Sequence, residues 1–263
     1  LDKYSSLSVT TPDSKINHIM NQWLKKQIDC CIVGKKGVRD NLQIAVALLN
    51  YRQEKAREEI LECLRHQFRD GHAVLTWYPY GGDASVVEHL KAAADCLIRD
   101  KGRNGLSRIY FADWNDALNI TTDPEAESVM LSHQFCLAFR ELKLLMEKIG
   151  ETDYAEFLKK EYDTMRKTIN EKAWDGEWYM RALSKKENIG SRTSEGSKIY
   201  LNAQTWAVLG DVADEEKLPK LLAAVDNMEH DFGFPLNMPP YEKYSPNVGR
   251  MSGMLPGLFE NGG

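Results

Sequence analysis

The chain has 263 residues, enough to bury a substantial core as one large domain or two ordinary ones. With 43% apolar and 28% charged residues and a net charge of −5, it reads as a soluble globular protein, and its acidic balance argues against a nucleic-acid-binding surface, which needs a net basic face. No apolar run approaches the length of a membrane span, and no signal-peptide pattern is present, although the chain begins at Leu1 without a methionine.

The dominant period along the chain is helical. Thr11-Pro12-Asp13 supplies a start signal, after which Ile16, Ile19, Met20, Trp23, Leu24 and Ile28 recur at spacings of three and four and form one apolar stripe. Further helices are predicted over about 40–51 and about 54–68, with Gly71 as a stop, and over about 84–99, where Val87, Leu90, Ala94 and Leu97 share a side. Asp123-Pro124-Glu125 is read as the cap of a helix over 129–149 that is apolar nearly all round and therefore buried on more than one face. Gly150 ends it, an amphipathic helix follows over 152–169, and the stretches 200–209 and 215–228 complete the set. Trp174-Asp175-Gly176-Glu177-Trp178-Tyr179 reads as a short hairpin turn. About eight paired helices with few strand signals point to an all-α arrangement in concentric layers. In such a fold the loops at one end line a pocket, and 76–80, 111–119, 174–179 and 232–241 are candidate wall pieces.

The five cysteines, Cys30, Cys31, Cys63, Cys96 and Cys136, are odd in number, lack a C-x-x-C pair and fall in helical segments. They read as buried free thiols of a reducing compartment, so a cytoplasmic location is expected. The six histidines show no metal-ligand spacing, and no metal is expected.

The run from Ala112 to Asn119 carries more chemistry than any other. Asp113-Trp114-Asn115-Asp116 places two carboxylates beside an indole, with Asn119 close behind. An aromatic plane stacks on a pyranose face, amides and acids bond its hydroxyls, and a partly desolvated carboxyl can act as a proton donor. The alternative reading of the run is a capped turn with a half-buried tryptophan.

Several segments, in order along the chain, resemble glycoside hydrolase family 94, the inverting phosphorylases typified by cellobiose and chitobiose phosphorylase. They are Leu7-Ser8-Val9-Thr10-Thr11-Pro12-Asp13 with Asn21-Gln22-Trp23-Leu24, then Gly37-Val38-Arg39-Asp40-Asn41-Leu42-Gln43, Trp77-Tyr78-Pro79 and Asp113-Trp114-Asn115-Asp116. Towards the C-terminal end come Ile199-Tyr200-Leu201-Asn202-Ala203-Gln204-Thr205-Trp206-Ala207, Gly249-Arg250-Met251-Ser252-Gly253 and Glu260-Asn261-Gly262-Gly263.

The resemblance implies an (α/α)6 barrel, incomplete in this chain. Residues 1–263 would be its catalytic part, within a longer protein that adds a β-sandwich ahead and further helices behind. It also implies phosphorolysis of a β-linked glucoside with inversion, giving α-glucose 1-phosphate. An inverting hydrolase needs an acid and a base; phosphate already carries negative charge, so only the acid is required. By the family pattern that acid is Asp116. Asp113 and Trp114 would shape the donor subsite, Arg39 and Asp40 would bond the glucosyl hydroxyls, Glu260 would reach the acceptor sugar, and Arg250 is the candidate for the phosphate. Inorganic phosphate is a co-substrate and no cofactor is expected; a homodimer is also implied. An ion pair tying a helix end is the alternative reading of Arg39–Asp40. Two residues depart from the pattern: Ile44 stands where the family has an Asp, and Trp77-Tyr78-Pro79 lacks an imidazole. The loops at 33–36 and 82–83 are shorter than the pattern. Two other functions stay open: an inverting hydrolase with Glu242 or Glu260 as base, or a catalytically weak carbohydrate-binding homologue.

Overall fold

The computed structural model describes residues 8–31, 37–73 and 85–263. The chain divides into two compact units, Leu1–Cys96 and Leu97–Gly263. The expected Trp77-Tyr78-Pro79 loop and the shortened loops at 33–36 and 82–83 lie outside the described residues.

In the first unit, α1 (Ser14–His18) passes through a π turn at Ile19–Trp23 into α2 (Leu24–Cys31), so the first expected helix is one continuous run. Asp13 caps it as anticipated, its Oδ1 accepting from Lys15 N at 2.7 Å. Asn17 and Asn21 tie the incoming chain back, accepting from Thr11 N and Val9 N, each at 2.7 Å. The apolar stripe is present but uncovered: Ile16, Ile19, Met20, Trp23 and Leu24 are 40–53% exposed. α3 (Val38–Leu48) and α4 (Gln53–Arg65) pack around Ala45, Leu48 and Ala56. α5 (Val86–Arg99) opens with a reciprocal cap, Ser85 N and Oγ donating to Glu88 while Glu88 N donates to Ser85 Oγ. Gly71 does more than stop α4. At φ +97° it admits the α5 backbone so closely that a Cβ would stand 2.0 Å from Ala92 O.

The second unit is built on a long hairpin, α6 (Val129–Lys148) and α7 (Thr152–Lys172), which turns at Gly150 with φ +86°. α8 (Leu201–Leu209) packs on α6, and α9 (Leu218–Asp226) follows. Two short antiparallel ribbons precede α6 and α8. β1 (Glu127–Ser128) pairs with β2 (Ala182–Leu183), and β3 (Ile199–Tyr200) pairs with β4 (Asn237–Met238). The expected hairpin is present as a Trp174–Tyr179 bridge. One core cluster joins Val129, Cys136, Met165, Ile169 and Tyr179; a second, with Leu118, Ile120, Tyr200, Tyr241 and Met251, lies under the loops.

One expectation for α6 is corrected. Its N-cap is Ser128, whose Oγ accepts from Leu131 N at 3.0 Å. Asp123 is held instead by Arg103 through two bonds of 2.7 Å and by Lys185 N, and these keep its carboxyl well below the usual range despite burial. α6 is buried on more than one face, as expected, over its first half, where Val129, Met130, Ser132, His133, Phe135, Cys136 and Phe139 are enclosed; further along, Leu144 and Leu145 are exposed. Cys63, Cys96 and Cys136 are buried and form no disulfide with one another, and burial pushes the Cys63 thiol up to about 11 and that of Cys136 up to about 12. The side chains of Cys30 and Cys31 lie outside the described residues.

His133 is fully buried on α6, edge-on to Tyr179 with ring centroids 5.0 Å apart. Desolvation pushes its pKa down to about 3. The unfolded chain therefore binds this proton from about pH 6.5 downward while the native state refuses it, so stability falls as pH drops from 6.5 towards 3. Denaturant titrations at pH 7 and pH 5 should show the wild type losing stability on acidification, and His133→Phe losing less. Equal losses in the two proteins would remove His133 as the source.

Candidate active site

The loop from Tyr110 to Ile120 alternates. Asn115 and Ala117 are buried with the side chain of Asp113, whereas Trp114 and Asp116 are exposed, Trp114 by 47%. The inward set supplies the reason. Asn115 N donates to Asp113 Oδ1 at 2.9 Å, Ala117 N donates to Asn115 Oδ1 at 3.1 Å, and Asn119 Nδ2 donates to the carbonyls of Phe111 and Asp116. Side chains bonded back to the loop's own backbone in this way hold it in one shape, although the buried Asn115 Nδ2 finds no partner among the described residues. The loop leaves the indole of Trp114 and the residue Asp116 at the surface.

Asp113 is the anchor. Its side chain and that of Arg181 are both 0% exposed, and they meet through a two-pronged bond, Nη1 to Oδ2 at 2.6 Å and Nη2 to Oδ1 at 2.7 Å. Ser128 Oγ donates to Oδ2 at 2.6 Å. Burial alone would raise the Asp113 pKa; the Arg181 charge and these bonds hold it below the ordinary carboxylate range. Each oxygen already accepts two hydrogen bonds, which fills the roughly four acceptor positions of a carboxylate. Any part Asp113 has in shaping the expected donor subsite is therefore played from inside the loop, not through a bond to the sugar. Asp113 has no capacity left and no access, and it positions the loop.

Ser128 joins this anchor to the helix, since the same Oγ caps α6. Its neighbour Glu127, fully buried, accepts from Asn104 N, Asn104 Nδ2 and Leu106 N at 2.6–3.0 Å and so fixes the turn before the loop. Neither Arg181, Ser128 nor Glu127 stood out in the sequence. Arg181 lies 68 residues from Asp113, and only the β1–β2 pairing brings them together.

The C-terminal segment laces onto the same loop. Asn119 N donates to Val248 O at 3.0 Å and Met251 N to Ala117 O at 2.8 Å, which sets Arg250 beside the residue that follows Asp116. Gly249, at φ +77°, permits this: a Cβ there would stand 2.5 Å from Asn119 O. Arg250 is exposed and, among the described residues, carries no ion pair. Glu260 is half-buried next to Asn261, which is itself buried and bonded to Tyr241 N, Tyr241 O and Met254 O. Tyr110 and Phe111, not singled out beforehand, add exposed aromatic surface at the start of the loop. Glu242 is exposed on the loop after β4.

Arg39 and Asp40 belong to the first unit, in the first turn of α3. Their side chains are about half exposed, with Arg39 Nε 3.8 Å from Asp40 Oδ1. Ile44, one turn on, packs partly buried against the Ala45–Leu48–Ala56 cluster, so the substituted position serves the core. Among the described residues no group of three or more His, Cys, Asp or Glu side chains could hold a metal ion, and no helix is long and apolar enough to cross a membrane.

Paired helices joined by loops, with few and short strands among the described residues, define a largely helical protein. Residues 78–263 match the Glycosyl hydrolase 94 superfamily, catalytic domain, and the chain belongs to that family. It is 33% identical to the solabiose phosphorylase of Paenibacillus borealis, covering 97% of this chain and 39% of that protein. It is 28% identical to the 3-O-beta-D-glucopyranosyl-beta-D-glucuronide phosphorylase of the same organism, covering 97% of this chain and 40% of that protein. The chain thus spans about two-fifths of these relatives. Among solved structures, a rhamnosidase from Klebsiella oxytoca with rhamnose bound superimposes with a TM-score of 0.59 at 12% identity, covering 87% of this chain and 50% of that one. Family and fold likeness together put the chain in the (α/α)6 barrel class, of which it carries a part.

Removing one partner of an enclosed ion pair strands the other charge, at a cost of roughly 3–5 kcal/mol. Arg181→Met should lower unfolding free energy by that order, and adding Asp113→Leu should recover much of the loss. A single-variant effect under about 1 kcal/mol in denaturant titrations would mean the pair does not anchor the loop.

Proposed function

We propose that the protein carrying this chain performs inverting phosphorolysis of a β-linked glucoside, with Asp116 as the general acid and inorganic phosphate as the nucleophile. The observation that carries this reading is the alternation in the signature loop. Asp113 is committed to Arg181 and Ser128, which leaves Asp116, beside Trp114, as the acid of the pair that faces outward. Family membership and the phosphorylase names of the relatives support the reaction class.

In this mechanism Trp114 stacks on a pyranose face and sets the sugar's height above the loop. The Asp116 carboxyl gives its proton to the glycosidic oxygen as the bond from that oxygen to the anomeric carbon breaks. A phosphate oxygen forms the new bond from the opposite face, so configuration inverts and α-glucose 1-phosphate results. In the synthetic direction the Asp116 carboxylate takes the proton of the acceptor hydroxyl. Arg250, next to Met251 on the segment bonded to Ala117, is the cation we assign to phosphate. Glu260 is assigned to the acceptor sugar, and Arg39 and Asp40 to the glucosyl hydroxyls. No cofactor enters the scheme. A cytoplasmic location and a homodimer belong to the same proposal.

The test is glucose 1-phosphate release from β-linked disaccharides by the full-length protein, with and without phosphate. Asp116→Asn should lower kcat by about 10²–10⁴, the usual range for general acid catalysis. Trp114→Ala should raise KM roughly tenfold, the loss of about 1.4 kcal/mol of stacking, with a smaller change in kcat. Sugar release that needs no phosphate, or near-normal turnover by Asp116→Asn, would overturn the scheme.

A further inference from the structure

Away from the signature loop, the second unit holds a cleft of about 520 Å3 between the Gly176–Trp178 turn, the 190–199 segment, α9 and β4. That volume is within the usual range for a small-molecule site, about 300–1,000 Å3.

The cleft has a fixed aromatic wall. Trp178 Nε1 donates to both Gly190 O and Lys198 O, each at 2.9 Å, so the edge of the indole is pinned and its plane cannot swing. The wall behind it is equally constrained. Gly190, at φ +78°, sits so close to Arg181 that an added Cβ would stand 2.9 Å from Arg181 N. The floor is apolar, made by Ile199 and Met238 of the β3–β4 ribbon, and the small side chains of Ala223 and Ala224 leave the space open. Asn227 adds a carboxamide.

The charged lining is three cations, Arg192, Lys198 and Lys220, and one carboxylate, Glu177. Arg192 lies over Gly176 and is already neighboured by Asp175 at 3.6 Å and Glu177 at 3.7 Å. Lys198 and Lys220 line the same cleft and, among the described residues, neither has a carboxylate partner. Two uncompensated ammonium groups on one cavity stand out in a chain whose net charge is −5. A hydrogen-bonded aromatic plane with an apolar floor suits the CH face of a pyranose, and the two lysines that line the cleft suit an anionic substituent on it.

We propose that this cleft is a second carbohydrate site, separate from the Asp116 loop, that binds a pyranose bearing an anionic group, either a phosphate ester or a carboxylate. The site does not depend on Asp116 or on turnover.

The experiment is isothermal titration of the full-length protein with glucose 6-phosphate and with glucuronic acid, against glucose and inorganic phosphate alone. At least one anionic sugar should bind more tightly than either control, and comparing the two identifies which anion is recognised. The double variant Lys198→Glu/Lys220→Glu should weaken that binding about tenfold or more, the scale of one lost charge-assisted hydrogen bond. Trp178→Ala should weaken it too; because Trp178 also packs on the Ile199–Met228 cluster, the exposed lysine pair is the deciding variant. Asp116→Asn should bind with unchanged affinity, so failure here is distinguishable from failure of the phosphorolysis reading. Unchanged affinity in the lysine variant, no binding of either anionic sugar, or equally tight binding of glucose or phosphate alone would overturn the proposal.

Discussion

The bond between Arg181 and Asp113 organises the active end of the second unit. Two charges with no exposure are expensive to desolvate, and such a pair is a weak source of net stability. What it delivers is geometry. A guanidinium fork fits a carboxylate in one plane and at one distance, so the loop at 113 and Arg181, the residue just ahead of β2, are locked in relative position. Ser128 extends the lock, bonding Asp113 while capping α6, so the orientation of the signature loop is tied to the start of α6. The outward placement of Trp114 and Asp116 follows from this inward commitment.

The same economy recurs around the loop layer. Asn115, Asn119 and Asn261 are buried side chains whose bonds go to backbone groups, Glu127 bonds two backbone N–H groups and the Asn104 carboxamide, and each holds one connecting segment still. Glycines at 190 and 249 let segments approach to distances no side chain would allow. The polar interior is thus a scaffold, and the aromatic surfaces that could meet sugar, at Trp114 and at Trp178, stand on it with restricted freedom. Rigid presentation of this kind reduces the entropy lost on binding.

Much of this was legible in the chain beforehand. The periodic segments became helices because their apolar spacing has a partner surface to match: the 129–149 stretch is α6 to within a residue, and Thr152 begins α7 as read. The ordered motifs located the signature loop. Three things were not legible. Ribbons of two residues are too short to show a period, so β1 and β2 were invisible, and with them the meeting of residues 113 and 181. Asp123-Pro124-Glu125 has the composition of a helix cap, yet Ser128, one residue ahead of the helix, takes the role because Asp123 has a stronger partner in Arg103. Finally, sequence treats the two aspartates of the motif alike; only burial separates the one that positions from the one that faces out. The apolar stripe of α1 and α2 taught the converse, since periodicity predicts a buried face without saying what covers it.

The most direct measurement is a crystal structure of the full-length Asp116→Asn protein with an intact β-linked disaccharide. The residue 116 side chain should lie within hydrogen-bonding reach of the glycosidic oxygen, about 2.6–3.2 Å, with Asp113 still clasped by Arg181 and Trp114 against a sugar ring. A bound disaccharide whose glycosidic oxygen is met by Asp113, or by a carboxylate on another loop, would contradict the division of labour between the two aspartates.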